Sequence, residues 1–208
     1  YDYTASGCAE IRMPNLDTMT SAGCQVNLGA ALEMTLRNGR MKKHGDALMG
    51  LETGDPRNFT SWEEFWQAYV AQQTRLIKYA YLDQMVIHQV RARHFAGPLS
   101  SCLHDLCMAS CMDLHGSEHI PGGIELGFFD VIGFGKLVDS LSAIKKFVFE
   151  EKRITMNDLI LALDCNFEGM EPLRRLLASA PRFGNADPYA DAIGKAVDIH
   201  DSQMKLAA

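Results

Sequence analysis

Apolar and polar positions alternate with a helical period over most of the chain. From about Ala22 to Asn38, Val26, Leu28, Ala31, Leu32, Met34 and Leu36 recur at helical spacing, and Asn38-Gly39 is a stop signal, so a helix is predicted there. A longer pattern begins after Thr60-Ser61. Trp62, Phe65, Trp66, Tyr69, Val70, Leu76, Ile77, Ala80, Tyr81 and Val86 form its apolar face, and Glu63 and Glu64 occupy the favoured first turn. This helix is expected to reach about Arg93, before Gly97-Pro98 breaks the chain. Further helices are predicted at about 99–114, 135–150, 155–165, 170–179 and 187–204, the last opened by Asp187-Pro188. Residues 1–20, with Gly7, Pro14 and Asn15, read as a short extended segment or loop. Residues 40–60 are turn-rich, and 115–135 hold so many glycines that loops and short strands are expected. No repeat of 20–50 residues is visible.

Composition narrows the class. With 47% hydrophobic residues the chain can bury a core, which excludes disorder. A net charge of −6 offers no basic surface to nucleic acid or anionic lipid, and no apolar run approaches the ~20 residues of a membrane span. Cys24, Cys107, Cys111 and Cys165 fall among apolar helical positions and read as free thiols used in packing. Together with 11 methionines they point to a reducing, cytoplasmic interior. The chain opens Tyr1-Asp2-Tyr3-Thr4 without Met or a signal-peptide pattern, so it is read as processed or as a piece of something longer.

Three groups of residues carry possible chemistry. In Ser6-Gly7-Cys8-Ala9-Glu10-Ile11-Arg12-Met13-Pro14, an extended backbone would put Cys8, Glu10 and Arg12 on one side. That set combines a reactive sulfur, a proton acceptor and a fixed cation able to orient a carboxylate or pair with Glu10. In His104, Cys107, Cys111 and His115, spacings of three, four and four share one helical face and supply zinc-like ligands. Four ligands strung over three turns span too much axis to close on one ion, whereas two of them with His119 from the following loop could. The alternative use is a buried helix with Cys as a small core residue. The third group, His115-Gly116-Ser117-Glu118-His119, is a base or ligand set, or simply a turn-rich connection. No nucleotide-binding glycine loop, GxSxG elbow or HExxH zinc motif is present.

Gly7-Cys8-Ala9-Glu10 resembles the thiyl loop of the glycyl radical enzymes, the pyruvate formate-lyase-like family, whose common form is Gly-Cys-Val-Glu-Pro. Further landmarks agree in order: Asn38-Gly39, Thr53-Gly54-Asp55-Pro56-Arg57, Trp62-Glu63-Glu64-Phe65-Trp66, Val138-Asp139-Ser140-Leu141-Ser142-Ala143-Ile144-Lys145-Lys146, Asn166-Phe167-Glu168-Gly169 and Ala180-Pro181-Arg182-Phe183-Gly184-Asn185-Ala186-Asp187. The resemblance implies an α/β fold, a fragment of the family's ten-stranded barrel, mostly helical with short strands. It implies that residues 1–208 are part of a single catalytic domain, without the N-terminal half-barrel and the C-terminal glycyl domain.

The family's radical Cys maps onto Cys8 and its base or substrate contact onto Glu10. The implied cofactor is a glycyl radical on a segment outside this chain, installed by a radical S-adenosylmethionine activase, with no metal in this chain. The implied partners are a small organic-acid substrate, the activase and, at full length, a second copy. Nucleic acid and membrane are not expected.

The departures refine the expectation. The glycyl motif Arg-Val-x-Gly-Tyr is absent, so the chain is not expected to turn over alone. Ile11 stands where the common motif has Pro, which disfavours the diol dehydratases and choline lyases, and Ala9 stands where pyruvate formate-lyase has a second Cys. What remains is C–C or C–S cleavage of a small anionic substrate, arylacetate decarboxylase-like or isethionate sulfite-lyase-like, with Arg12 as an anion contact. The alternatives are a fumarate-adding alkylsuccinate synthase and, from another class, a helical zinc-binding or interaction module.

Overall fold

The protein is described by a computed structural model covering residues 3–6, 10–18, 24–116, 119–124 and 129–207; for Ser6, Glu10, Phe129 and residues 205–207 only the backbone is described. The chain divides into two compact units, Tyr1–Gln25 with Tyr79–Asp130, and Val26–Lys78 with Val131–Ala208.

The second unit is a helical layer. Helix α1 (Leu28–Leu36) buries Leu28, Ala31, Leu32 and Met34. Helix α5 (Phe134–Ile144) packs against α1 and against α8 (Pro188–Ala207), through Leu137, Val138, Leu141 and Ile144 on its own face. On α8 the corresponding buried positions are Ala190, Ile193 and Val197. The last turn of α5 widens into a π-helical segment, Lys145–Glu150, a form that occurs mostly as single turns. That segment seats buried Phe147 against Ala143, Ala180, Ile154, Leu176 and Leu177. Helix α6 (Met156–Asp164) starts with a reciprocal cap: Thr155 Oγ1 accepts from the Asp158 N–H at 3.1 Å, and the Asp158 carboxylate accepts from the Thr155 N–H at 2.9 Å. Helix α7 (Glu171–Ala178) follows.

Helix α2 (Trp62–His94) begins where the Ser61 hydroxyl accepts from the Glu64 N–H at 3.2 Å and Glu64 accepts from the Thr60 N–H at 2.6 Å. Gln72 on α2 is fully buried; it accepts from the Leu51 N–H at 2.9 Å and donates to the Leu51 carbonyl at 2.6 Å, so one side chain ties a loop edge like a strand partner. Gly50 lies so close to Gln72 that a Cβ there would collide with it.

The small strands are β1 (Thr4–Ser6), β2 (Glu10–Arg12), β3 (Cys24–Asn27), β4 (Arg40–Met41), β5 (Ala47–Leu48) and β6 (Phe129–Ile132), paired as β1–β2, β3–β6 and β4–β5. Gly39, at φ +82°, makes the turn before β4 and has no room for a side chain beside Leu51.

The structure corrects two expectations about elements. The helix predicted from about Ala22 begins only at Leu28; before it Cys24–Asn27 is a strand, with Cys24 and Val26 buried and Gln25 and Asn27 exposed. Period-2 burial wins there because Asn27 takes an extended conformation and accepts from the Gly29 N–H at 2.9 Å, which starts the helix after it. The helix predicted over 99–114 is two short helices, α3 (Pro98–Cys102) and α4 (Asp105–Ser110), with His104 extended between them. Cys111 ends α4 in the left-handed conformation at φ 57° and, like Cys165, is exposed rather than packed.

Candidate active site

The hairpin β1–β2 is the local frame of the first candidate group. Its antiparallel register pairs Thr4 with Arg12, Ala5 with Ile11 and Ser6 with Glu10, and Gly7, Cys8 and Ala9 stand between the two strands in the sequence. Those three residues lie outside the described residues. Glu10 is described as backbone, at the start of β2 nearest the connection. Arg12 closes the open end of the hairpin. Its Nη1 donates to the Asp17 carboxylate at 2.7 Å, with side-chain exposures of 15% and 5%, so the pair is largely withdrawn from water.

Asp17 arrives at Arg12 through a tight turn. The N–H groups of Leu16 and Asp17 both donate to the Met13 carbonyl, at 3.1 and 2.9 Å, and Asn15 takes the left-handed conformation that Asn tolerates. The backbone of Asp17 forms a parallel bridge with Ile124: Thr18 N–H donates to the Ile124 carbonyl at 3.0 Å and Ile124 N–H to the Leu16 carbonyl at 2.7 Å. The Asp17 carbonyl also meets His104 Nε2 at 3.3 Å. Gly123 is pressed against Thr18 and the Ile120 carbonyl, where a Cβ would not fit.

The other two groups are put to structural use. His104 caps α4 from an extended backbone and is buried, Cys107 is buried inside α4, Cys111 is exposed at its end, and His115 lies beyond the helix, so the single face assumed for the four does not exist. Among the described residues no group of three or more His, Cys, Asp or Glu is placed to hold a metal ion. Burial raises the Cys107 thiol above its ordinary range, and Asp113 adds to this; the same desolvation raises Cys24, with Asp83 adding to it. Both stay protonated at neutral pH.

The His115 backbone N–H donates to Asp113 at 2.8 Å, its Nδ1 lies 3.0 Å from the Phe95 carbonyl, and Gly97 N–H and the Ser101 hydroxyl also reach the same carboxylate. These donors, His115 N–H first, hold Asp113 below the usual carboxylate range. In the third group, Ser117 and Glu118 lie outside the described residues.

A cavity of about 470 Å³ in the second unit is lined chiefly by Leu32, Leu36, Ile144, Leu159, Phe167 and Leu177 and holds none of the candidate residues. Its Asp139 and Arg182 are engaged by the Phe183 N–H and the Ala178 carbonyl. No described helix is long and apolar enough to cross a membrane. The Arg12–Asp17 pair was not singled out from the sequence; the signal available was an Asp five residues after Arg12, across Pro14-Asn15.

Comparison with known proteins gives this geometry a setting. A family model described as pyruvate formate lyase-like matches residues 1–205. The isethionate sulfite-lyase of Desulfovibrio desulfuricans is 57% identical over 197 residues, which are 95% of this chain and 24% of that protein. The crystal structure of hydroxyproline dehydratase from Clostridioides difficile, with trans-4-hydroxy-L-proline bound, superposes with a TM-score of 0.84 at 32% identity, covering 97% of this chain and 25% of that one. A glycyl radical enzyme from Archaeoglobus fulgidus gives a TM-score of 0.79 at 26% identity, covering 97% and 25%. The chain thus spans about a quarter of the length of the relatives it matches, and its fold is that of the matching quarter of a glycyl radical enzyme.

Proposed function

Since the chain belongs to the pyruvate formate lyase-like family, we propose that it is the thiol-bearing part of a glycyl radical lyase that breaks the C–S bond of a small hydroxyalkyl sulfonate such as isethionate. The observation that carries this reading is the 57% identity to an isethionate sulfite-lyase across 95% of the chain. The hairpin supports it: Ser6 pairs with Glu10, so Glu10 opens β2 directly after Gly7-Cys8-Ala9 in the sequence.

A radical held on a glycine outside residues 1–208, installed by an S-adenosylmethionine-dependent activase, would supply the oxidising equivalent by taking the thiol hydrogen of Cys8. Within this chain, the resulting Cys8 thiyl takes a hydrogen atom from the hydroxyl-bearing carbon of the substrate, breaking C–H and forming S–H. Glu10 accepts the hydroxyl proton, the C–S bonding pair leaves with sulfite, and the remaining carbon-centred radical, next to the new carbonyl, takes the hydrogen back from Cys8. The products are an aldehyde and sulfite, and the Cys8 thiyl is regenerated. Near-contact of sulfur and carbon governs such a transfer, so placement of the hairpin controls the rate. The remaining half-barrel and glycyl segment complete the same catalytic domain. The full-length enzyme is read as cytoplasmic, anaerobic and homodimeric.

The test is anaerobic activation of a chain of the relatives' length carrying residues 1–208, followed by measurement of sulfite from isethionate. Turnover that is lost in Cys8→Ser while the glycyl radical signal remains is the expected result. Sulfite release by Cys8→Ser would sink the reading. Carbon dioxide from an arylacetate, or addition of a hydrocarbon to fumarate, with isethionate inert, would move the enzyme to the other subclasses.

A further inference from the structure

We propose that Asp17 is a positioning residue for the thiol hairpin, holding Arg12 and through it the strand that carries Glu10, so that Arg12 serves the placement of Cys8 and not the recognition of the substrate anion. This rests on the reading of Cys8 and Glu10 given above.

A hairpin of three residue pairs is too short to hold its own geometry, since two-stranded ribbons are marginal in water. It needs an external anchor, and the natural place is the open end, opposite the connection. Arg12 stands there, paired with Thr4 across the ladder. The cation is held at 2.7 Å by a carboxylate only 5% exposed, a charge-assisted bond in poor contact with water.

Asp17 is itself fixed from three directions. Its N–H donates to Met13, its backbone bridges Ile124, and its carbonyl meets His104 at the start of α4. One residue therefore ties β2, the 120–124 loop and α4 together. Of these contacts only the carboxylate reaches the hairpin side chain, so it can be altered while the backbone anchors stay. An arginine meant for a substrate anion gains nothing from a buried carboxylate at hydrogen-bond distance, which offsets its charge. An arginine meant to hold a strand in place needs that partner.

The experiment compares Asp17→Asn, Arg12→Gln, Arg12→Lys and the exchanged pair Arg12→Asp with Asp17→Arg in the full-length, activated enzyme. Radical content is measured by electron paramagnetic resonance, and kcat and KM for isethionate are determined separately. Asp17→Asn and Arg12→Gln are each expected to lower kcat by ~10–100-fold, the scale of an ångström-sized misplacement. KM should change by less than about threefold, because uniform binding is untouched. The glycyl radical signal should stay at its original size, and Arg12→Lys and the exchanged pair should each recover part of kcat.

A KM raised about tenfold or more in Arg12→Gln, with Asp17→Asn kinetically silent, makes Arg12 an anion contact and overturns the proposal. Unchanged kinetics in both single variants overturns it as well. If Asp17→Asn does not accumulate as folded protein, the kcat–KM split in Arg12→Gln and Arg12→Lys decides alone. Sulfite release that survives Cys8→Ser counts against the reading of the site itself and is distinguishable from all of these outcomes.

Discussion

The two units differ in what holds them. The unit of Val26–Lys78 and Val131–Ala208 is secured by buried apolar side chains on long helices, with caps at Asn27, Ser61 and Thr155. Both units use polar ties, Gln72 to Leu51 and Arg37 to Asp164 in the helical one, but the unit of Tyr1–Gln25 and Tyr79–Asp130 has fewer buried apolar side chains among the described residues and relies more on such ties: Arg12 to Asp17, Asp17 to His104, and Asp113 to Gly97, Ser101 and His115. A polar tie is directional and sets a position to within a few tenths of an ångström. The proposed reaction, in which one sulfur meets one carbon, calls for directional support of this kind around the hairpin.

The contrast can be tested at both ends. Phe147→Ala removes a fully buried ring from the helical layer and is expected to cost about 3–5 kcal/mol, read as a lowered unfolding midpoint in denaturant. Gly123→Ala forces a methyl group against Thr18 and is expected to cost about 1–3 kcal/mol, with faster amide exchange at Thr18 and Ile124 and unchanged exchange in α5. Exchange that speeds up equally in α5 would show that the two kinds of support are not separable. Asp158→Ala removes a reciprocal cap and should cost about 1 kcal/mol, localised by exchange to the first turn of α6.

The smallest effect is a pH dependence. Burial holds the His200 imidazole below its ordinary pKa, against the opposing pull of Asp201 and the Val70 backbone, and its Nε2 lies 3.1 Å from Thr74 Oγ1. The unfolded chain then binds the proton more readily. The contribution of His200 is complete above its unfolded pKa of about 6.5 and is lost as pH falls through the lower folded value. His200→Gln is expected to flatten the stability profile between about pH 5 and 7, measured by thermal unfolding. A profile that keeps its slope in that variant assigns the dependence to another group.

The helical layer was legible in the sequence because long apolar periods and strong caps agree with each other. The starts of α2 and α6 follow from Ser61 with Glu64 and Thr155 with Asp158. The misreadings came where a local choice outweighed the period. Val26 fits a helix or a strand equally, and Asn27 as a cap moved the boundary. Over 99–114 the apolar spacing continues through His104, whose extended backbone breaks it, and nothing in residue type announces that break. At the site, the motif around Cys8 was readable, and the partner of Arg12 was not. An ion pair across a Pro-Asn turn depends on the turn's closure, which is set by the Ile124 bridge more than a hundred residues away.

The aromatic cluster at the head of α2 has a consequence for optical work. Both tryptophans of the chain, Trp62 and Trp66, lie there, with Trp62 stacked on Phe65 at 5.7 Å and Trp66 against Tyr69 at 5.5 Å. Intrinsic fluorescence excited selectively through indole therefore reports the unit of Val26–Lys78 and Val131–Ala208 alone. An emission curve can show a single clean transition while the hairpin opens and closes unseen. Tyr3, exposed just before β1, is the position at which a Trp would make the silent half visible.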